Sequence, residues 1–277
     1  MKKPITGVMK PMIIISSRKS FNDPDTLKAH GHKYKEIDFS TDLAIRELQE
    51  EEFLNEISGK RVLLLIHGYN NEQDEVYDAY TVINDKILEH TNNKYDFVIG
   101  YTWPGGDKGI EWYASKSRAN SVARRFRFLI SALSQQADIL DIMSHSLGAR
   151  VVFKALKQAK EKIVIRNYFC MAAAVDNEVL EQNEEFHLSI SKAKNVFIFH
   201  SKNDEVLSIA YKIAEWDNAL GLYGPEDKSY IQKQAKNIYV INCKKVIDSH
   251  GDYKRTKDIY KYINRVLTKR TAKFVTL

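Results

Sequence analysis

An apolar run leads directly into a small-residue turn at Ile139-Leu-Asp-Ile-Met-Ser-His-Ser-Leu-Gly148-Ala-Arg-Val, and a helical pattern follows without a break. Ser144-His145-Ser146-Leu147-Gly148 is a variant of the G-x-S-x-G nucleophile elbow, with Ser144 in the first glycine's place. A strand that turns abruptly into a helix crowds the residues two before and two after its apex. Both must be small, and Ser144 and Gly148 are. Such a turn holds Ser146 in a strained conformation and lifts its hydroxyl above the strand end. The following helix aims free N–H groups at the same point, which favours developing negative charge there. That arrangement suits attack of a hydroxyl on a carbonyl carbon.

Attack of that kind needs oxyanion donors and a base. Val62-Leu-Leu-Leu-Ile66 ends in His67-Gly68-Tyr69-Asn70, where a glycine lets the backbone turn N–H groups into a cleft. The candidate oxyanion donors are the backbone N–H groups of Tyr69 and Leu147. His67 is read as a brace for its loop. Of the eight histidines, His250 is best placed as base, in Asp248-Ser-His-Gly-Asp252 between the last strand and the last helix. His200 follows a strand and is the alternative; His145 adjoins the nucleophile but is expected to point away from it. A carboxylate must fix the tautomer of the base. Asp204, just past Val196-Phe-Ile-Phe-His200, is the candidate, with Asp176 and then Glu205 as rivals, and a plain helix cap as its structural alternative.

The elements that position these groups are short apolar runs alternating with longer helical patterns. Strands are predicted at Met12–Ser17, Arg61–Ile66, Phe97–Thr102, Ile139–Met143, Tyr168–Ala173, Val196–Phe199 and Ile238–Asn242, with a weaker one at Tyr34–Phe39. Their continuous Val/Ile/Leu/Phe content predicts a mostly parallel sheet with helices on both faces. Helices are expected over Leu43 to Ile57, after a cap at Asn71, from Leu147, and from Tyr253 to Thr268. Residues 1–277 read as one domain, with a possible lid-like excursion at 205–235. Asp138 and Asp141 stand in or beside the strand leading to Ser146, where a carboxylate needs a partner that the sequence does not identify.

With 44% hydrophobic and 28% charged residues, the chain can build a core, and disorder is excluded for its bulk. The formal net charge of +6 is modest. The cluster Arg124-Arg125-Phe126-Arg127 falls on the outer side of a helix whose apolar positions are Val122, Phe126, Ile130 and Leu133, so no nucleic-acid partner is expected. Cys170 and Cys243 lie in strand-like runs and are expected as buried free thiols. No stretch reaches the roughly 18 apolar residues of a membrane helix. The start lacks a signal-peptide core, so the expectation is a cytoplasmic protein without membrane insertion. Nothing in the pattern specifies an oligomeric state.

Taken together, the motifs resemble the α/β-hydrolase superfamily, and within it a group of bacterial esterase/lipase-like proteins catalogued as a domain of unknown function. The resemblance runs through Ser16-Ser-Arg18, His67-Gly-Tyr-Asn-Asn71, Tyr101-Thr-Trp-Pro104, Ser144-His-Ser-Leu-Gly148, Ser201-Lys-Asn-Asp204, Leu220-Gly-Leu-Tyr-Gly-Pro225 and His250-Gly-Asp-Tyr253. It implies an α/β-hydrolase fold in which Ser146, Asp204 and His250 serve as nucleophile, acid and base. Their chain order is the one expected of that fold. Ser144 departs mildly from the group, which often has alanine there. The implied reaction is hydrolysis of a small-molecule or lipid ester through an acyl-enzyme, with no metal or cofactor. Trp103, Trp112, Tyr113 and Trp216 are candidate acyl-pocket residues. A lipase or phospholipase, marked by an apolar lid, and a non-catalytic binding protein of the same fold are the alternatives.

Overall fold

The computed structural model describes residues 11–41, 43–69, 71–106, 108 and 111–277. Most of Asn70's loop motif is therefore visible, but Asn70 itself and the first ten residues lie outside the described set. Among the described residues ten strands form one sheet: β1 (Met12–Ser16), β2 (Lys33–Asp38), β3 (Leu43–Leu48), β4 (Arg61–Ile66), β5 (Phe97–Thr102), β6 (Ile139–His145), β7 (Ile165–Met171), β8 (Ala193–His200), β9 (Ile238–Asn242) and β10 (Phe274–Thr276). Their spatial order is β10-β9-β8-β7-β6-β4-β5-β1-β2-β3. Only the β1–β2 and β2–β3 pairs are antiparallel.

The helices are α1 (Glu50–Glu56), α2 (Gln73–His90), α3 (Trp112–Gln136), α4 (Gly148–Gln158), α5 (Lys212–Glu215), α6 (Leu220–Tyr223), α7 (Lys228–Lys233) and α8 (Lys257–Val266). They flank the sheet, with α3 packed on α4 and α2 packed on α8. The core follows from residue type. Val62 to Ile66 of β4 and Ile13 to Ile15 of β1 are apolar throughout and buried, as strands covered on both faces must be. In α3, Val122, Phe126, Ile130 and Leu133 face inward. Arg125 and Arg127 reach sideways to the carbonyls of Ala29 and Gln158. Cys170 and Cys243 are buried free thiols.

The order of strands locates the crevice. The chain runs from β4 outward to β5, then returns to the other side of β4 for β6 and continues through β7, β8 and β9. Neighbouring loops at the carboxyl ends of β4 and β6 thus diverge, which opens the usual ligand crevice of such sheets. Both the His67-Gly68-Tyr69 turn and Ser146 lie there, and Asp204 and His250 follow β8 and β9 at the same edge.

Several expectations are corrected. The helix expected from Leu43 to Ile57 is strand β3 followed by the short α1. Residues 43–48 pair antiparallel with β2, and Arg46 ties Glu36 of β2 to Glu56 of α1. Tertiary pairing there overrides a helical spacing of apolar residues. The cap of α2 is Glu72, not Asn71: Glu72 and Glu75 form a reciprocal capping box. The last helix begins later than Tyr253, since a 3-10 turn at Asp252–Lys254 precedes α8. β10 at the sheet edge has no counterpart among the predicted strands. No helix among the described residues is long and apolar enough to cross a membrane.

Candidate active site

Ser146 stands at the turn between β6 and α4 with φ 55°, in the left-handed region that costs a non-glycine residue about 1–2 kcal/mol. The surrounding backbone holds it there. Its N–H donates to the Met171 carbonyl at 3.0 Å, and its carbonyl accepts from the N–H groups of Ala149 and Ala174 at 3.0 and 3.2 Å. The small residues do what the steric argument requires. A Cβ on Gly148 would lie 2.4 Å from the His67 carbonyl oxygen, so only glycine lets α4 approach β4 so closely. Ser144 is buried and its hydroxyl bonds that of Tyr168 at 2.7 Å.

The turn after β4 faces this elbow directly. A Cβ on Gly68 would meet the Ser146 Cβ at 2.8 Å. Neither the Tyr69 nor the Leu147 N–H donates a backbone hydrogen bond among the described residues. Each of these N–H groups belongs to the residue that follows Gly68 or Ser146, the two positions that face one another across the crevice. His67 explains why the turn is rigid. The Trp103 N–H donates to His67 Nε2 at 3.1 Å, which leaves Nδ1 as the protonated nitrogen, donating to the Gly68 carbonyl at 2.9 Å. The Trp103 indole N–H returns to the His67 carbonyl, and the two rings stack. Arg18, from the Ser16-Ser17-Arg18 motif, adds a second clamp through Nε to the Trp103 carbonyl and Nη2 to the Asn71 carbonyl.

Burial keeps His67 well below its ordinary pKa, with the Arg18 charge acting in the same direction. Buried His200 is likewise lowered, to about 4. Unfolding lets both imidazoles take up a proton at their ordinary 6.5, whereas the folded chain keeps them neutral. Their contribution to stability is complete above pH 6.5 and is lost as pH falls, until folded His200 itself protonates near 4. Between about pH 7.5 and about pH 5.5 stability should therefore fall, by on the order of 1 kcal/mol for each imidazole. Urea unfolding at the two pH values checks this; stability that holds level or rises on acidification would contradict it.

His250 Nδ1 lies 2.8 Å from Asp204 Oδ2. The carboxylate is fully buried and accepts, so Nδ1 carries a proton, and in the neutral ring Nε2 keeps the lone pair. Asp204 Oδ1 meanwhile accepts from the Leu207 N–H at 3.1 Å. The helix-start role and the histidine-partner role are thus both real, one oxygen each. The rivals are engaged elsewhere or exposed: Asp176 accepts from the Tyr211 hydroxyl, and Glu205 faces solvent. His200 is sealed beneath Gly224 and bonds the Leu222 carbonyl.

His145 makes a contact that the sequence does not show. Its Nε2 sits 2.9 Å from the His250 carbonyl, and the two rings lie 4.5 Å apart. A carbonyl only accepts, so Nε2 is protonated and His145 ties the loop of His250 to the elbow of Ser146. Strand alternation turns its side chain opposite to those of its neighbours, and the sequence does not show that the last loop folds back to meet it. No hydrogen bond joins Ser146 Oγ to His250 among the described residues, and Ser146 is only 7% exposed.

The four aromatic candidates do not form one pocket wall. Trp103 is completely buried against His67. Trp216 stands in solvent and Tyr113 is exposed. Trp112 stands edge-on to Tyr69 at 5.8 Å and to Tyr211 at 5.5 Å. The expected excursion at 205–235 contains a π-helical turn at Leu207–Tyr211, then α5, α6 and α7. Glu215 pins it to the start of α3 by accepting from the Trp112 indole N–H at 2.5 Å and pairing with Lys116.

A mostly parallel sheet, an elbow after β6 and a glycine turn after β4 define an α/β-hydrolase fold. A family model described as alpha/beta hydrolase of unknown function (DUF900) matches residues 45–270, and the chain belongs to that family. No curated protein matches the chain. Among solved structures it is similar to a gene product of Listeria innocua at 10% identity, TM-score 0.48, covering 79% of this chain and 98% of that one. It is also similar to a truncated carbohydrate esterase from gut microbiota at 13% identity, TM-score 0.48, covering 96% and 98%. The ydeN gene product from B. subtilis has 13% identity, TM-score 0.46, and coverage of 76% and 100%. Likenesses at this level carry no argument about substrate.

Proposed function

We propose that the protein is a serine hydrolase that cleaves carboxylic esters through an acyl-enzyme. The supporting observation is the 2.8 Å bond from His250 Nδ1 to buried Asp204, formed at the sheet edge where strained Ser146 faces Gly68. Ser146 Oγ attacks the ester carbonyl while its proton passes to His250 Nε2. The oxygen, now negative, is held by the Tyr69 and Leu147 N–H groups, each expected to contribute about 100- to 1000-fold in rate. Collapse of the intermediate expels the alcohol, which takes the proton from His250. Water then repeats the sequence on the acyl-serine. The base must close on Ser146 as substrate binds, since catalytic hydrogen bonds are commonly looser in ligand-free sites. His145 limits that movement by holding the His250 carbonyl.

The test is fluorophosphonate labelling beside turnover of p-nitrophenyl acetate. The wild-type protein should take up one label per chain and release p-nitrophenol. Ser146→Ala should do neither, with little change in stability because alanine fits the same turn. Equal labelling of both proteins, or no turnover by the wild type on any short-chain ester, would overturn the proposal.

A further inference from the structure

Directly after Asp204 the chain carries an apolar line on its outer side. Val206, Ile209, Ile213 and Trp216 are 50%, 59%, 70% and 90% exposed. Their spacing of three, four and three residues places them along one face of the helical run through Leu207–Tyr211 and α5. Leu207 and Tyr211, on the opposite face, are buried. The run therefore spends apolar residues on both sides, and the outer set is not needed for its packing. Exposed Tyr113 of α3 widens the line, with its hydroxyl on the Ala214 carbonyl.

We propose that this line docks the protein on an anionic lipid surface, and that the ester it cleaves is presented from that surface. The second clause rests on the function proposed above; the first does not. Three features favour lipid over another protein. A single row of four side chains covers roughly a few hundred Å², well short of the ~800 Å² per partner usual for a stable protein pair. Insertion of such a row to the headgroup boundary needs no complementary partner surface. Trp216 closes the row in a left-handed turn, φ 58°, with its ring in solvent, and tryptophan concentrates at lipid–water boundaries. The nearby charge also fits. Lys202 and Lys212 are exposed near the row, beside exposed Glu205 and half-buried Asp217, while Glu215 is turned back onto Lys116. The chain's net charge of +6 favours an anionic surface over a neutral one.

The location links docking to the site. The same segment begins at Asp204 and is pinned through Glu215 to Trp112, which touches Tyr69. A protein docked by this row would hold its crevice beside the lipid.

The full-length protein should float with phosphatidylcholine vesicles containing phosphatidylglycerol, and at least tenfold less with phosphatidylcholine alone. Trp216 emission should shift to the blue on binding, and the shift should vanish in Trp216→Ser. The double variant I209S/I213S should lose at least tenfold in vesicle binding. It should keep p-nitrophenyl acetate turnover within about twofold of the wild type, yet lose turnover of vesicle-borne ester in proportion to binding. Flotation requires no catalysis, so it separates this proposal from the preceding one. Absence of wild-type flotation, or unchanged binding by I209S/I213S, would overturn it. So would equal binding to neutral and anionic vesicles, or a wild-type dimer that the double variant converts to monomer.

Discussion

Asp204→Asn is expected to lower kcat on a soluble ester by about 10⁴-fold while leaving the protein folded, the loss seen when an amide replaces the acid of such a triad. The magnitude follows from hydrogen-bond direction. Asp204 Oδ1 accepts from the Leu207 N–H at 3.1 Å, and Oδ2 accepts from His250 Nδ1 at 2.8 Å. An amide has one acceptor and one donor end. The Leu207 N–H can only donate, so the amide oxygen must stay with it, and the NH₂ group then faces His250. Nδ1 must become the acceptor, the ring proton moves to Nε2, and the base can no longer take the proton of Ser146. The helix start keeps its cap, so the thermal midpoint should change little. Fluorophosphonate labelling should slow in parallel with kcat. A loss smaller than tenfold would show that another carboxylate, Asp176 or Glu205, serves the base.

The parts of this site that are legible in the sequence are those whose chemistry is local. The elbow needs small residues at fixed offsets from Ser146, and the acid and base must follow parallel strands, so Asp204 and His250 can be picked by their position after β8 and β9. What escapes the sequence depends on pairing across the chain. β3 is a strand because β2 and Arg46 make it one, not because Leu43–Leu48 alternates cleanly. His145 meets His250 over 105 residues of separation. In Glu205–Ala235, Leu207 and Tyr211 turn inward while Val206, Ile209, Ile213 and Trp216 turn outward, a division that shows only once the helical turn sets their phase. Trp103 shows the converse. An aromatic residue next to a site motif suggests a pocket, but this one is spent on holding His67.

The same limitation hid the partner of the buried carboxylate, and its energy is large enough to measure. Asp141 lies in the first half of β6 with no exposed surface. Five donors meet it: Arg166 Nε at 3.0 Å and Nη2 at 2.5 Å, the Tyr95 hydroxyl at 2.7 Å, and the Asn167 backbone N–H and side-chain amide at 2.9 and 3.2 Å. Arg166 and Asn167 belong to β7, and Tyr95 precedes β5, so the network spans strands on either side of the elbow strand. Arg166→Met removes the only charged donor and leaves a carboxylate held by neutral groups. Breaking such a pair typically costs about 3–5 kcal/mol. Arg166 is itself 28% exposed, and the neutral donors persist, so the lower end, about 3 kcal/mol, is expected. For a chain of this size that is a fall of roughly 6–12 °C in thermal midpoint. The double variant D141L/R166M should recover much of the loss, because no unpaired charge remains. Specific activity at a temperature where both variants are folded should match the wild type, since Asp141 sits toward the end of β6 away from Ser146. A single Arg166→Met change that shifts the midpoint by less than about 2 °C would mean that Tyr95 and Asn167 alone suffice to hold the charge.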